Sequence, residues 1–277
     1  MSLQMYDEKK SAPKTLLAVA AGKGGVGKST VAVSLARLLK SRGIRVGLLD
    51  ADLYGPSLKK MLKEERLPMR RGDQIVPAYA EGIRFLSLAH FRNEDSAAVV
   101  RAPIANGVIT QFLQQADWSD VDFLILDLPP GTGDIQLTLC QKAPITAALL
   151  VTTPQEVALL DVKKAMDAFR QLRVPIAGVV ENMSYYLPPG SQEKHHPFGQ
   201  GGGRKLAAEC GEPFLGEIPL EPLLSQSLDR SESLFESEEG EDCRRAFEEV
   251  LDQTLSQLSL IQEGKGQNLE SFELIWK

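Results

Sequence analysis

The chain has 277 residues, 43% hydrophobic and 25% charged, with 31 Lys and Arg against 37 Asp and Glu for a formal net charge of −6. This is the composition of a folded globular protein and argues against disorder. No apolar run approaches the roughly 18 residues of a membrane-spanning helix, and the opening MSLQMYDEKKSAPK lacks the apolar stretch of a signal peptide, so a cytoplasmic location is expected.

In chain order, seven short apolar runs read as buried strands: Leu16–Ala20, Val46–Leu49, Ile83–Leu88, Phe123–Leu126, Ala147–Val151, Ile176–Val180 and Phe214–Ile218. Each is hydrophobic on both faces, as parallel strands covered by helices require. Between them lie helical stretches. Ser29–Ser41 stops at Gly43, and Glu156–Leu172 sets Val157, Leu160, Lys164, Ala168 and Leu172 at helical spacing before Pro175. The alternation predicts an α/β fold, a doubly wound and mostly parallel sheet flanked by helices. Residues 183–203, MSYYLPPGSQEKHHPFGQGGG, break the pattern and predict a surface excursion. Arg244–Ile261 places Phe247, Leu251, Leu255 and Leu258 on one helical face, a docked terminal helix. Past Gly264 and Gly266, the run Phe272–Lys277 reads as strand-like. The expected organisation is a tail over 1–13, one domain over 14–262, and over 263–277 either a tail or the truncated start of another domain.

The charge is unevenly spread. Residues 229–252 carry ten acidic and three basic side chains, leaving the first 228 residues close to neutral. This predicts neither nucleic acid nor membrane as a partner. The densest basic stretch, Lys59 to Arg71, is interrupted by Glu64 and Glu65 and reads as a solvated, partly helical face. Cys140, Cys210 and Cys243 lie 70 and 33 residues apart, too far for a disulfide framework or a local C-x-x-C knuckle.

The chemistry concentrates after the first strand. Gly22-Lys23-Gly24-Gly25-Val26-Gly27-Lys28-Ser29 satisfies G-x-x-x-x-G-K-[ST] between a strand and a helix. Its glycines let backbone N–H groups fold around a β-phosphate, and the following helix presents its positive end. Lys28 is expected to neutralise the β- and γ-phosphates, Ser29 to bind Mg²⁺, and Thr30 to reach the α-phosphate of ATP. Two strands end in acids, at Asp50-Ala51-Asp52 and at Asp127. In a parallel sheet both ends fall beside the phosphate loop. Asp127 fits the Walker B role at Mg²⁺, Asp50 supports the same ion, and Asp52 is the candidate to orient the attacking water.

Lys23 sets this loop apart from an ordinary Walker A. The form K-G-G-x-G-K-[ST] resembles the deviant Walker A ATPases, which include MinD, ParA, the nitrogenase iron protein and the Mrp/ApbC cluster carriers. The stretches AAGKGGVGKSTVAVSLA, DADLYGPS, DLPPGTGD, VTTPQEVALLDVKKA, GVVENMS, FGQGGGRKLA and PFLGEIPLEP are similar to Mrp/ApbC in the family's order. The resemblance implies an ATP-bridged homodimer in which Lys23 reaches the partner's phosphates, with Asn182 reading the adenine edge and Pro219 near the base. It also implies ATP hydrolysis in the service of iron–sulfur clients or scaffolds. Cluster-carrying members show a C-x-x-C pair after the ENMSY segment; here that place reads Tyr185 to Ser191 without cysteine. The expectation is therefore a modified or lost cluster site, with His195 and His196 in loop-stabilising roles and Cys140 in the core. The alternatives are a MinD- or ParA-like spatial-organising ATPase and a small-molecule phosphoryl transferase whose 183–203 excursion is a lid.

Overall fold

The computed structural model describes residues 13–273 apart from 53, 54, 56, 92–101, 132 and 192. The expected N-terminal tail up to residue 12 and the last four residues of the strand-like run lie outside the described residues. The elements are β1 (Thr15–Ala21), α1 (Lys28–Ser41), β2 (Val46–Asp50), α2 (Leu58–Met61), β3 (Glu64–Arg66), β4 (Met69–Arg71), β5 (Gln74–Val76), β6 (Ala78–Ala80) and β7 (Ile83–Ser87). They continue with α3 (Ala102–Gln115), β8 (Phe123–Asp127), α4 (Asp134–Lys142), β9 (Ala147–Thr152), α5 (Glu156–Gln171) and β10 (Ile176–Glu181), then α6 (Gly202–Cys210), β11 (Phe214–Glu217), α7 (Pro222–Asp229) and α8 (Glu241–Glu273).

All seven expected strands form, and they pair in parallel as β11-β10-β9-β1-β8-β2-β7. The central strand shows why the runs are mostly apolar. Leu17, Val19 and Ala21 of β1 enter the core shared with α1 and α8, whereas Leu16, Ala18 and Ala20 enter the one shared with α3, α4 and α5. Successive side chains on a strand point to opposite faces, so a sheet with helices on both sides needs apolar residues at every position. β1 leads through α1 on one face to β2, and β8 leads through α4 on the other face to β9, on the opposite side of β1. That topology opens a crevice at the C-terminal end of β1.

Four features differ from the sequence reading. The edge of the main sheet continues beyond β7 through antiparallel β6 and β3, and β4 pairs with β5 in a separate hairpin. The basic stretch is partly helical as expected, with Lys59 and Lys60 on α2, then turns to strand, and it is solvated: Arg66, Arg70 and Arg71 are exposed. The helix α5 forms, but its stripe Val157, Leu160 and Lys164 faces solvent, with Val157 65% and Leu160 64% exposed. The buried face is Ala158, Val162, Ala165, Met166 and Phe169. Both stripes have helical spacing; the second carries the bulk of Met166 and Phe169 together with two alanines small enough for close approach to the sheet. Finally, α8 runs past Ile261 through Gly264 and Gly266 to Glu273, so Phe272 is helical rather than strand. Each glycine costs an exposed helix only about 1 kcal/mol, and no proline interrupts the run. Its expected inner face is confirmed by Phe247, Leu251 and Leu258, all buried, with the Phe247 ring 5.3 Å from that of Phe235. Among the described residues, no helix is long and apolar enough to cross a membrane.

Candidate nucleotide site

The loop between β1 and α1 reverses the chain through two glycines in the left-handed region, Gly25 and Gly27, both at φ 82°. A side chain at Gly27 would also strike the Asn182 amide, since an added Cβ would lie 2.1 Å from its Nδ2. Gly22 packs just as tightly on α5, where a Cβ would lie 2.2 Å from the backbone carbon of Asp161. These positions admit only glycine because of strain and close approach.

Around this loop the structure assembles the expected carboxylates. β2 and β8 are in register so that Asp50 and Asp127 are direct neighbours at the strand ends. Both are fully buried. The Lys28 ammonium donates to Asp127 Oδ1 at 2.6 Å, and the Ser29 hydroxyl donates to Asp127 Oδ2 at 2.6 Å. Burial raises the pKa of Asp127, opposed by Lys28 and Ser29. Burial, and then the charge of Asp127, push Asp50 up to about 7. Asp50 accepts from the Asp52 backbone N–H at 3.1 Å and from the Ser87 hydroxyl at 2.9 Å. Asp52 is buried beside this pair and accepts from the Gly55 N–H at 3.1 Å. The loop after Asp127 is tied to β1 by the Gly131 N–H donating to the Ala21 carbonyl at 2.9 Å.

Lys23 is half-buried between Gly22 and exposed Gly24, and its ammonium joins no ion pair among the described residues. Thr30 lies half-buried in the first turn of α1. Asn182, at the end of β10, is brought to the phosphate loop itself: its Nδ2 donates to the Val26 carbonyl at 2.8 Å. Pro219 is buried on the neighbouring segment after β11, which is laced to the chain after Asn182 by Ser184 N–H to the Ile218 carbonyl at 3.0 Å and Leu220 N–H to the Tyr185 carbonyl at 2.6 Å.

The donor set of two carboxylates and a hydroxyl is hard oxygen throughout, and two like charges buried side by side are relieved by a divalent cation. This fits Mg²⁺, which takes one or two carboxylates plus phosphate oxygens rather than a protein cage. An iron–sulfur cluster does not fit one chain in the same way. Cys140 and Cys243 are buried, their thiols pushed up to about 11 and about 12 by desolvation. Among the described residues no group of three or more His, Cys, Asp or Glu side chains could hold a metal. His196 accepts no such role either; its Nδ1 lies 3.0 Å from the Ser184 carbonyl, and Tyr186 and His195 pair as an antiparallel bridge, so both histidines order the excursion.

A family model for the ParA group, described as the NUBPL iron-transfer P-loop NTPase, matches residues 12–255. The chain belongs to this family. Among its relatives, an iron–sulfur cluster carrier protein of Aquifex aeolicus is 43% identical over 237 residues, covering 84% of the chain and 65% of the relative. The chain thus spans about two thirds of that relative's length. A nucleotide-binding protein of Archaeoglobus fulgidus, solved with ADP and with cobalt found in it, aligns at TM-score 0.69 and 35% identity over 79% of this chain and 86% of that one. The cell-division ATPase MinD of Pyrococcus furiosus aligns at TM-score 0.62 over 88% of this chain and 99% of that one, but at 19% identity it shows the P-loop NTPase fold alone.

Sequence reasoning missed Ser87, which holds Asp50, and Glu181, a fully buried carboxylate at the end of β10. The only signal for Glu181 was an acid directly after an apolar strand, the same pattern that marked Asp50 and Asp127.

Proposed function

We propose that this chain is a Mg²⁺-dependent ATPase that acts as an ATP-bridged homodimer in iron–sulfur cluster assembly or transfer, serving client or scaffold proteins in the cytoplasm. The observation that carries the reading is the family match over residues 12–255 together with the Lys28, Ser29, Asp127 and Asp50 constellation at the phosphate loop. In the nucleotide-bound protein Lys28 leaves Asp127 for the β- and γ-phosphates, and the backbone N–H groups of Gly24 to Ser29 surround the β-phosphate. Ser29, with Asp127 and Asp50 behind it, would hold Mg²⁺, which would supply positive charge to the phosphate oxygens. Asp52 orients a water in line with the γ-phosphate, and Lys23 of each subunit supplies a cation to its partner's nucleotide. Catalysis then rests on positioning and charge rather than covalent chemistry. Asn182 Oδ1 and its remaining N–H present an acceptor and a donor to the adenine edge, with Pro219 against the base.

The cluster enters as cargo. Cys140 and Cys243 are buried as thiols, and no cysteine stands in the 183–203 excursion, so the isolated protein is expected to retain less than one cluster per dimer after anaerobic reconstitution with iron and sulfide. Transfer from a loaded scaffold to an apo-ferredoxin, followed by visible circular dichroism, is expected to speed up with Mg–ATP and not with Mg–ADP. A transfer rate unaffected by the protein and by nucleotide would overturn the assignment to iron–sulfur work.

A further inference from the structure

Glu181 is fully buried, yet nothing in the proposed hydrolysis uses it. Its Oε1 accepts from the Ser184 hydroxyl at 2.6 Å, and its Oε2 accepts from the Gly203 backbone N–H. The first bond spans the two residues Asn182 and Met183; the second ties in the start of α6, where the excursion ends. Gly203 leaves room for the carboxylate, since an added Cβ would lie 3.0 Å from Glu181 Cβ and 3.1 Å from Oε2. Between these anchors Met183 adopts φ 54°, a left-handed conformation that a side chain other than glycine keeps only where its surroundings dictate it. The turn held this way aims Asn182. The Asn182 N–H donates to the Thr152 carbonyl at 2.7 Å, and its side chain reaches the phosphate-loop carbonyl of Val26. A buried, doubly bonded carboxylate is a stiff anchor because either orphaned donor would be costly.

We propose that Glu181 is a positioning residue of the nucleotide site: by bridging Ser184 and Gly203 it fixes the Asn182–Met183 turn and so the direction in which the Asn182 amide meets the base. The proposal rests on the reading of Asn182 as the adenine contact, so the test separates the two. The ratio of GTP to ATP dissociation constants is measured by calorimetry on the full chain for wild type, Asn182→Ala, Glu181→Ala, Glu181→Gln and Ser184→Ala. A site built to hydrogen-bond its ligand loses discrimination when its polar groups are misplaced, so Glu181→Ala is expected to lower the ratio about 10-fold. Ser184→Ala should lower it in the same direction. Glu181→Gln should restore it to within about two-fold, because the amide oxygen still accepts from Gly203 and the amide N–H can donate to Ser184. A merely structural Glu181 would lower the melting temperature and leave the ratio alone. If Asn182→Ala lowers the ratio while Glu181→Ala keeps it, the positioning role is overturned and the base contact stands. If Asn182→Ala also leaves the ratio unchanged, the base contact itself fails, and the proposal with it. Should Glu181→Ala not fold, Ser184→Ala decides alone by the same criterion.

Discussion

Replacing Lys28 by alanine is expected to weaken Mg–ATP binding on the order of 100-fold or more, the loss typical of truncating one partner of a buried charge contact. The same change should also destabilise the ligand-free protein. Lys28 is buried and its ammonium sits 2.6 Å from Asp127, itself fully buried. Leaving that carboxylate without its cation costs about 3–5 kcal/mol. The deficit depends on pH in a defined direction. Burial already raises the Asp127 pKa, and without Lys28 it rises further above the unfolded value. A raised carboxyl binds a proton more tightly in the folded state, so the variant loses least at low pH. Its deficit relative to wild type grows as pH climbs from the wild-type folded pKa of Asp127 through the higher folded pKa of the variant. Urea denaturation of Lys28→Ala at several pH values, without nucleotide, measures this. The double variant Lys28→Ala with Asp127→Asn is expected to recover stability but not binding, since the amide removes the buried charge and restores no phosphate contact. A single variant as stable as wild type at every pH would show that the pair is not formed in the free protein.

Lys23→Ala should separate binding from turnover. The side chain is half-buried, joins no ion pair among the described residues, and flanks the exposed Gly24–Gly25 turn, so its removal costs the free protein little. As a cation delivered in trans it would act on the transition state like an arginine finger, whose removal lowers kcat by roughly 10³-fold. The expected result is a kcat reduced on that order, with the dissociation constant of ATP for the monomer changed less than about three-fold. Equal losses in both quantities would place Lys23 on its own subunit's nucleotide.

The parts of the molecule that were legible in the sequence are those whose physics is local or uniform. The seven parallel strands announced themselves because most of their positions are buried on both faces, so they read as short apolar runs broken only by Arg84 and Ser87 in β7 and by Glu217 in β11. The phosphate loop was legible because glycines, lysine and hydroxyl are contiguous, and Asp50 and Asp127 because parallel strands end on one side. The short strands β3 to β6, two at the sheet edge and two in the separate hairpin, were not, since three-residue strands carry no periodicity. For α5 two stripes of equal spacing competed, and the choice depended on Met166 and Phe169 against the sheet, a matter of packing rather than pattern. Glu181 was missed because an acid followed by Asn-Met reads as a solvated turn; only the return of the chain at Gly203, 22 residues later, buries it.

The sharpest measurement is the rate of phosphate release per chain as a function of protein concentration at saturating Mg–ATP. If the working unit is a dimer bridged by nucleotide with Lys23 acting in trans, the specific rate rises with concentration and levels off as sedimentation shows the dimer filling. A specific rate that stays constant down to concentrations where the protein sediments as a monomer would contradict it.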